Sequence, residues 1–273
     1  MVLFTRWSFA LNIAVVVALI AFPKDHLKAE SALVSADDII DKAAQRAQQA
    51  HAGVANPGYT YTKVTSTDEL DSAGKVKEHK KKVYRVFFQS GKTYVKLLEV
   101  NGHVPDAADL RKQNENELSV QQLLGQSQVN AGDNRENFLT PDLVARFDFQ
   151  LTGEANINGR RAYGIAFQPK NPAPPARRLA DKLLNRISGT LWIDAEESEV
   201  ARADIQLKSE VDVLGGIAGC LRHLVYTMIR TRIADGIWLN SFSSGDFEGR
   251  KLLDSMRIKT KSESSDFRPC TSR

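Results

Sequence analysis

Runs of alternating apolar and polar residues, joined by very short turns, constrain the fold of this chain most strongly. In FDFQLTGEANI, Phe147, Phe149 and Leu151 alternate with polar residues, and Asn158-Gly159 leads directly into RRAYGIAFQPK. The alternation predicts strands with one buried and one wet face, and Asn-Gly is a strong signal for a hairpin turn. Parallel neighbours would need a long crossover connection. The pattern therefore predicts an antiparallel sheet.

The same pattern recurs along most of the chain. About ten strand-like runs occur, in the order three strands, a helical stretch, then seven strands with a short helix inserted. A sheet of this width tends to curl, because neighbouring strands twist by roughly 20–25°. We predict a mainly β (α+β) fold, in which a strongly curved antiparallel sheet forms an unclosed half-barrel covered by three or four helices.

Two longer segments have helical character. Residues 35–52 begin with a capping Ser35 and acids in the first turn, and their apolar residues recur at helical spacing. Residues 105–125 begin with a proline, end with a glycine and are mostly polar. Leu118, Leu123 and Leu124 are the apolar contacts of this second helix, so we expect it to be weakly held and to act as a lid. Shorter helices are expected after Thr140 and over 176–187.

The first residues indicate the compartment. A short start with one cation, Arg6, precedes the segment 10–22, which is apolar apart from Asn12, and a polar stretch follows Pro23. This order is typical of a secretory signal peptide, and the apolar run is shorter than the roughly 20 residues that span a bilayer. We predict a signal peptide over 1–29, with an uncleaved N-terminal anchor as the alternative. A single domain over 30–262 and a loose tail over 263–273 would follow.

Composition and motifs argue against several classes of function. The net charge of +4 is too small to indicate a nucleic-acid partner. The sequence has no phosphate-binding glycine loop, no HExxH and no Gly-x-Ser-x-Gly. Cys220 and His223 form the one pair of soft metal ligands, and a zinc site would need two more. We expect no catalytic residue, no metal and no cofactor. Cys220 and Cys270 could pair in an oxidising compartment, or could both stay free.

Two charged stretches can each be interpreted either as functional or as structural. The turn after SGTLWID carries Asp194, Glu197 and, on the next run, Asp204, which could serve acid–base catalysis or simply satisfy the turn. The lysine-rich run 75–82 could contact anionic lipid or another polyanion. The structural interpretation is an edge strand whose lysines discourage unwanted pairing and match the acidic STDELD on the partner strand.

The segments FDFQLTGEANINGRRAYGIAFQPK and SGTLWIDAEESEVARADIQL together resemble the outer-membrane lipoprotein-sorting protein superfamily. The resemblance covers roughly residues 59–260 and lies in the order strand, Asn-Gly-Arg, strand, then GxLWID and VxRxD. It implies an unclosed barrel with helices over its concave side, which in the carriers holds acyl chains. It also suggests Arg202 as a lid contact.

The resemblance favours a non-enzymatic binding protein of the bacterial periplasm or the secreted fraction. It would hold a lipidated or apolar ligand, such as the acyl chains of a lipoprotein or lipid, possible lining residues being Phe147, Phe149, Leu151, Leu191, Trp192 and Ile193. We expect a monomer with at most transient membrane association if the leader is cleaved. The alternative is an envelope structural or sensory module that binds another protein, and a hydrolase is a third hypothesis.

Overall fold

One large antiparallel sheet organises the chain, as seen in a computed structural model. The structure describes residues 35–52, 58–89, 92–124, 139–212, 219–251 and 254–270. The leader predicted over 1–29 lies outside these residues, so its cleavage or retention stays a prediction. Within the described residues, no helix combines the length and apolar character that crossing a membrane requires.

The described part contains four helices and eleven strands. The helices are α1 (Ala36–Ala52), α2 (Ala107–Leu124), α3 (Pro141–Val144) and α4 (Leu179–Leu184). The strands are β1 (Tyr59–Leu70), β2 (Val76–Gln89), β3 (Lys92–Val100), β4 (Phe147–Ile157), β5 (Arg160–Pro169), β6 (Ile187–Asp194), β7 (Val200–Leu207), β8 (Val211–Asp212), β9 (Gly219–Ala234), β10 (Ile237–Lys251) and β11 (Asp254–Pro269).

The strand order confirms the predicted fold class. It runs β3-β2-β1-β11-β10-β9-β7-β6-β5-β4, with β8 added on β9, and all strand pairings are antiparallel. The two ends of this order, β3 and β4, do not pair with each other, so the sheet is an unclosed half-barrel. Most consecutive strands lie side by side, but β3 and β4 lie at opposite ends of the sheet, and β8 pairs with β9 and not with β7. Strand β11 pairs with β1, which brings the C-terminal strand into the middle of the sheet.

The hydrophobic core lies between helix α1 and one face of the sheet, which we call the inner face. Residues directly opposite each other on antiparallel strands share a face. The inner face therefore continues from Ala203 of β7 to Met228 of β9 and on to Ser243 of β10. The fully buried core residues are Ile39, Ile40, Ala43, Ala44, Leu139, Phe147, Ile165, Phe167, Ile187, Leu191, Ile193, Val200, Ala203, Leu224 and Met228.

Cross-strand charge pairs set the register of β1 and β2. Lys77 Nζ lies 3.0 Å from Glu69 Oε1, and His79 Nδ1 lies 2.5 Å from Asp68 Oδ1. Strand β3 pairs with β2 only from Lys82 onward, so residues 76–81 have β1 as their sheet neighbour in the described part. The interpretation of the lysine run as a charge-paired edge segment is confirmed.

Two boundary predictions need correction. Residues 263–269 were expected in a loose tail, but they belong to β11, and Tyr59 of β1 pairs with Pro269 at its end. Pairing with β1 satisfies the backbone of this segment, which its polar composition did not reveal. The helix expected over 176–187 is shorter, because α4 ends at Leu184 and the backbone enters β6 at Ile187.

Candidate functional site

The inner face changes character at the middle of the sheet. From β4 to β9 it carries large apolar side chains that pack against the helices. Further along it carries mostly short hydroxylated side chains and glycine, as the strand registers show. We call this second region the central inner face. Its residues are Ser243, Gly245 and Phe247 of β10, Ile258, Thr260, Ser262 and Ser264 of β11, and Lys63, Thr65 and Thr67 of β1.

Short side chains make up most of the central inner face. Most of its side chains are only half-buried, and among the described residues no hydrogen bond or ion pair joins them to a helix. The Phe247 ring folds over Gly245, where an added Cβ would lie 2.3 Å from a ring carbon. Small residues here also suit a sheet that curls tightly. The described side chains of this region are therefore short and, for the most part, only partly buried.

The central inner face has an apolar margin at one end. Phe247 lies opposite Leu224 of β9 on one side and opposite Ile258 of β11 on the other. Phe247 and Tyr226 are half-buried side chains packed against the core, and Ile258 is half-buried beside them. An apolar ligand on the central inner face would cover exposed parts of these three side chains, and burial of apolar surface is favourable by about 25 cal/mol per Å².

Most of the apolar residues proposed from the sequence lie in the packed core. Phe147, Leu191 and Ile193 are buried in it, and Phe149 packs against it. They face inward as the alternation predicted. Because helix and loop side chains already cover these residues in the structure, a ligand could reach them only if those elements moved. Leu151 belongs to the edge strand β4 and is 38% exposed.

Trp192 and Arg202 lie on the other face of the sheet, which corrects their expected roles. Both alternate with inward-facing neighbours, and they are directly opposite each other on β6 and β7. The Arg202 guanidinium lies 5.0 Å from the centroid of the Trp192 ring and forms an ion pair with Asp204. Arg202 is therefore directed away from the helices of the inner face and cannot contact a lid there.

Helix α2, the proposed lid, touches the sheet at β2. Gln113 Oε1 accepts hydrogen bonds from Lys82 Nζ at 2.9 Å and from Tyr84 Oη at 3.3 Å. The side chains of Leu118, Leu123 and Leu124 lie outside the described residues, so their role as lid contacts stays a prediction. The described contacts place α2 beside the central inner face and leave its movement untested.

The acids of the β6–β7 turn are held by arginines. Arg160 donates to Asp194 at 2.7 and 2.9 Å, and the backbone N–H groups of Glu196 and Glu197 donate to Asp194 Oδ1. Burial raises the pKa of Asp194, but these hydrogen bonds outweigh it and hold that pKa below its usual value. The structural reading of this carboxylate as the residue that satisfies the turn backbone is confirmed.

Glu197 and Glu199 are engaged in the same way. Glu197 accepts hydrogen bonds from Trp238 Nε1 at 2.6 Å and from Arg232 Nε at 2.5 Å. Burial raises the pKa of Glu197, and these two donors lower it further than burial raises it. Glu199 forms ion pairs with Arg46 of α1 at 3.2 Å and Arg230 of β9 at 2.8 Å. Glu197 thus connects the β6–β7 turn to the β9–β10 hairpin, and Glu199 connects α1 to β9. A general acid would need a raised pKa, whereas the pKa of Glu197 is lowered.

The two cysteines are free thiols. Cys220 lies in β9 opposite Arg250, which is in turn opposite Ser255 of β11. Cys270 follows the far end of β11, and a strand rise of about 3.3 Å per residue puts roughly 50 Å of strand between the two levels. A disulfide needs Cα atoms within about 7 Å, so the pairing left open by the sequence is not made.

Metal-binding side chains do not cluster in the described residues, where no group of three His, Cys, Asp or Glu could hold an ion. The pair formed by Cys220 and His223 therefore finds no further ligands in that part of the chain. His223 is exposed and Cys220 is buried, which also separates their environments.

No protein-family model matches this chain, and no curated protein matches it either. Several solved structures do. A DUF1329 family protein from Desulfovibrio piger is 14% identical, over 88% of this chain and 95% of that one, with a TM-score of 0.34. A LolA superfamily protein from Nitrosomonas europaea is 11% identical, over 88% of this chain and 96% of that one, with a TM-score of 0.34.

A third match is an outer-membrane lipoprotein-sorting protein domain from Vibrio parahaemolyticus. It is 11% identical, over 86% of this chain and 94% of that one, with a TM-score of 0.38. The solved structures similar to this chain therefore include members of the lipoprotein-sorting superfamily that the strand motif indicated.

Proposed function

We propose that this protein is a non-enzymatic binding protein of the bacterial periplasm or the secreted fraction, which holds a lipidated or otherwise apolar ligand. The observation that carries the proposal is the half-buried central inner face, whose apolar margin is formed by Phe247 and Ile258 with the neighbouring Tyr226. Each methylene group buried there would contribute about 0.8 kcal/mol. An acyl chain would therefore bind without any catalytic group. The sequence resemblance to lipoprotein carriers and the predicted leader agree with this function.

A bulky residue on the central inner face should compete with the ligand for space. We expect Ser243→Trp to weaken binding of a fluorescent acyl lipid to the delipidated protein at least about tenfold, a change of about 1.4 kcal/mol. Ser244→Trp is the matched control, because Ser244 is the adjacent residue on the opposite face of β10. The control should bind as the unmodified protein does.

Native mass spectrometry of the purified protein, read for bound lipid, provides the independent measurement. Equal weakening by both tryptophan variants would show that the site is not on the inner face. Failure of the unmodified protein to take up any acyl lipid or lipopeptide would refute the proposal altogether.

Binding of a protein partner is the second candidate function. It is favoured by the segment 76–80 of β2, which has no strand on its outer edge within the described residues and which carries Lys77 and Lys80. An extended acidic peptide could add to such an edge as a further strand. A stoichiometric protein partner from envelope extracts, with no bound lipid, would support this function over lipid binding.

We expect no hydrolase activity at the β6–β7 turn. Asp194 and Glu197 have lowered pKa values and all their oxygens face arginine, tryptophan or backbone donors. A screen of ester and phosphoester substrates should therefore give no turnover. Turnover that is abolished by Asp194→Asn or Glu197→Gln, in variants that keep the thermal stability of the parent, would contradict this.

A further inference from the structure

The end of the β2–β3 hairpin extends beyond the strands beside it. Strand β2 pairs with β1 as far as Val86, which lies opposite Tyr61 on the inner face. Beyond this point, Phe87–Gln89 pair only with Lys92–Tyr94 of β3 in the described part of the chain. We call these two short stretches the ribbon. A two-stranded ribbon by itself is at best marginally stable in water, so a surface that covered it would stabilise it.

Exposed aromatic and apolar side chains lie on both faces of the ribbon and its base. The rings of Phe87 and Tyr94 stack with their centroids 5.5 Å apart, and Tyr94 is 43% exposed. Both rings are on the outer face of the sheet, opposite to the inner face, because Phe87 follows the inward-facing Val86. Val95, on the inner face, is also 43% exposed. Exposed apolar groups that cluster at the end of a projecting element indicate a contact surface.

Two cations lie directly behind the aromatic pair on the outer face. Arg85 precedes Phe87 by two residues in β2, Lys96 follows Tyr94 by two residues in β3, and the two cations are directly opposite each other. Arg85 is half-buried and Lys96 is exposed. Among the described residues, neither has a carboxylate within ion-pair distance. Like charges directly opposite each other destabilise a sheet, so this pair favours an anionic partner.

The strands of the hairpin do not supply that partner. Residues 79–98 contain no aspartate or glutamate. Elsewhere on the outer face the lysines are paired: Lys259 lies 3.7 Å from Asp246, and Lys261 lies 2.8 Å from Glu263. Phosphate groups suit the hairpin cations, because arginine and lysine form strong charge-assisted hydrogen bonds with them.

We propose that the end of the β2–β3 hairpin docks on a lipid membrane whose surface carries anionic phospholipids. Phe87 and Tyr94 enter the headgroup region, where aromatic side chains are favoured. Arg85 and Lys96 are roughly 7 Å further back along the strands and bind the phosphate groups.

The shape of the ribbon favours a membrane over a folded protein as the partner. Tyr94 and Val95 are exposed on opposite faces of an element only two strands wide. A fluid lipid surface surrounds the end of such an element and covers both faces at once. A folded protein that packed on one face would leave the other face in water.

Cosedimentation of the full chain with lipid vesicles tests the charge preference. We expect binding to vesicles that contain phosphatidylglycerol to be at least about tenfold tighter than binding to vesicles of phosphatidylcholine alone, because each cation near an anionic surface adds to the affinity. Raising the salt concentration should reduce the preference. The predicted leader is the same in every variant compared below, so it cannot account for a difference between them.

The double variant Arg85→Gln/Lys96→Gln should lose most of this preference. It removes a repulsion between like charges, so it should keep the thermal stability of the parent. Lys259→Gln/Lys261→Gln is the matched control, since it makes the same change of charge on the outer face but at lysines that are paired with carboxylates. The control should retain the preference for anionic vesicles.

Tyr94→Trp reports contact of the ribbon itself. Brominated lipids in the anionic vesicles should quench the added tryptophan, seen as a larger loss of emission than in the unmodified protein. Val225→Trp is the control, because Val225 is also on the outer face and 45% exposed but belongs to β9. The tryptophan at position 225 should not be quenched.

Three results would overturn the membrane contact: equal binding to both kinds of vesicle, an equal effect of the two double variants, or equal quenching at positions 94 and 225. A dimer in solution that Tyr94→Ser dissociates, with no vesicle binding, would assign the surface to a second copy instead. The aromatic and cationic groups lie on the other side of the sheet from the central inner face. Uptake of dispersed acyl lipid therefore tests the proposed function separately, and either proposal can fail without the other.

Discussion

Replacing Asp181 by Asn is expected to lower the free energy of unfolding by about 3–5 kcal/mol, the cost of leaving a buried charge without its partner. Asp181 is 2% exposed and lies 3.1 Å from Arg146, whose side chain is 8% exposed. It also accepts hydrogen bonds from the backbone N–H groups of Arg177 and Arg178 and from the Arg178 guanidinium. An amide cannot accept all of these bonds, and Arg146 would remain charged.

The measurement is denaturant unfolding at neutral pH. Glu196→Gln is the control, because Glu196 also forms an ion pair with an arginine, Arg160, but its side chain is 77% exposed. Exposed ion pairs contribute about 1 kcal/mol or less. Similar losses of unfolding free energy in the two variants would show that burial of Asp181 and Arg146 does not explain the stability that their interaction provides.

The same residue predicts how stability depends on pH. The pKa of Asp181 is lowered from a usual value of 3.8 to about 2. The hydrogen bond from the Arg178 side chain is the largest cause, and the other donors add to it, whereas burial acts in the opposite direction. The stabilisation is therefore complete above the unfolded pKa and is lost as the pH falls from about 4 towards 2. Unfolding followed over this range should show a shallower pH dependence for Asp181→Asn than for the parent.

Replacing Gly189 by Ala is expected to cost more than about 4 kcal/mol, beyond the range of ordinary substitutions. An added Cβ would lie 1.9 Å from the carbonyl oxygen of Asp204 and 3.0 Å from a carbon of the Phe167 ring. The oxygen belongs to the backbone of the neighbouring strand β7, so β6 and β7 would have to separate. Denaturant unfolding or the yield of soluble protein measures the effect.

Gly102→Ala is the control, because it measures the cost of an unfavourable backbone conformation without a steric clash. Gly102 has a φ of +84°, but nothing lies within 4 Å of its added Cβ. A side chain in the left-handed region costs about 1–2 kcal/mol. A loss for Gly189→Ala that is no larger than the loss for Gly102→Ala would contradict the predicted separation of the strands.

The local features of the sheet could be predicted from the sequence because they depend on neighbouring residues. The alternation of Phe147 and Phe149 with polar residues and the Asn158-Gly159 turn gave strands β4 and β5, which pair through that turn. The acids of STDELD and the lysines of the following run predicted the pairs that β1 and β2 form. Each of these features requires only contacts that are close in the chain.

The errors concern contacts between distant segments. Leu191 and Trp192 are both predicted from the sequence to line the cavity, but adjacent residues of a strand face opposite sides of the sheet. Only the tertiary structure shows that the helices cover the side of Leu191. The polar run after 262 gave no sign that it pairs with Tyr59 and its neighbours, about two hundred residues earlier. The Asp181 cluster was also missed, since its arginines come from different segments of the chain.

The sequence by itself determined the antiparallel sheet, its turns and the alternation of faces along each strand, because the period of two and the turn residues are local properties. The tertiary structure alone decided which part of the inner face is filled by helices and which part stays half-buried. That division depends on the volumes of side chains brought together by β1, β10 and β11, which are neighbours only after β11 has returned to the middle of the sheet.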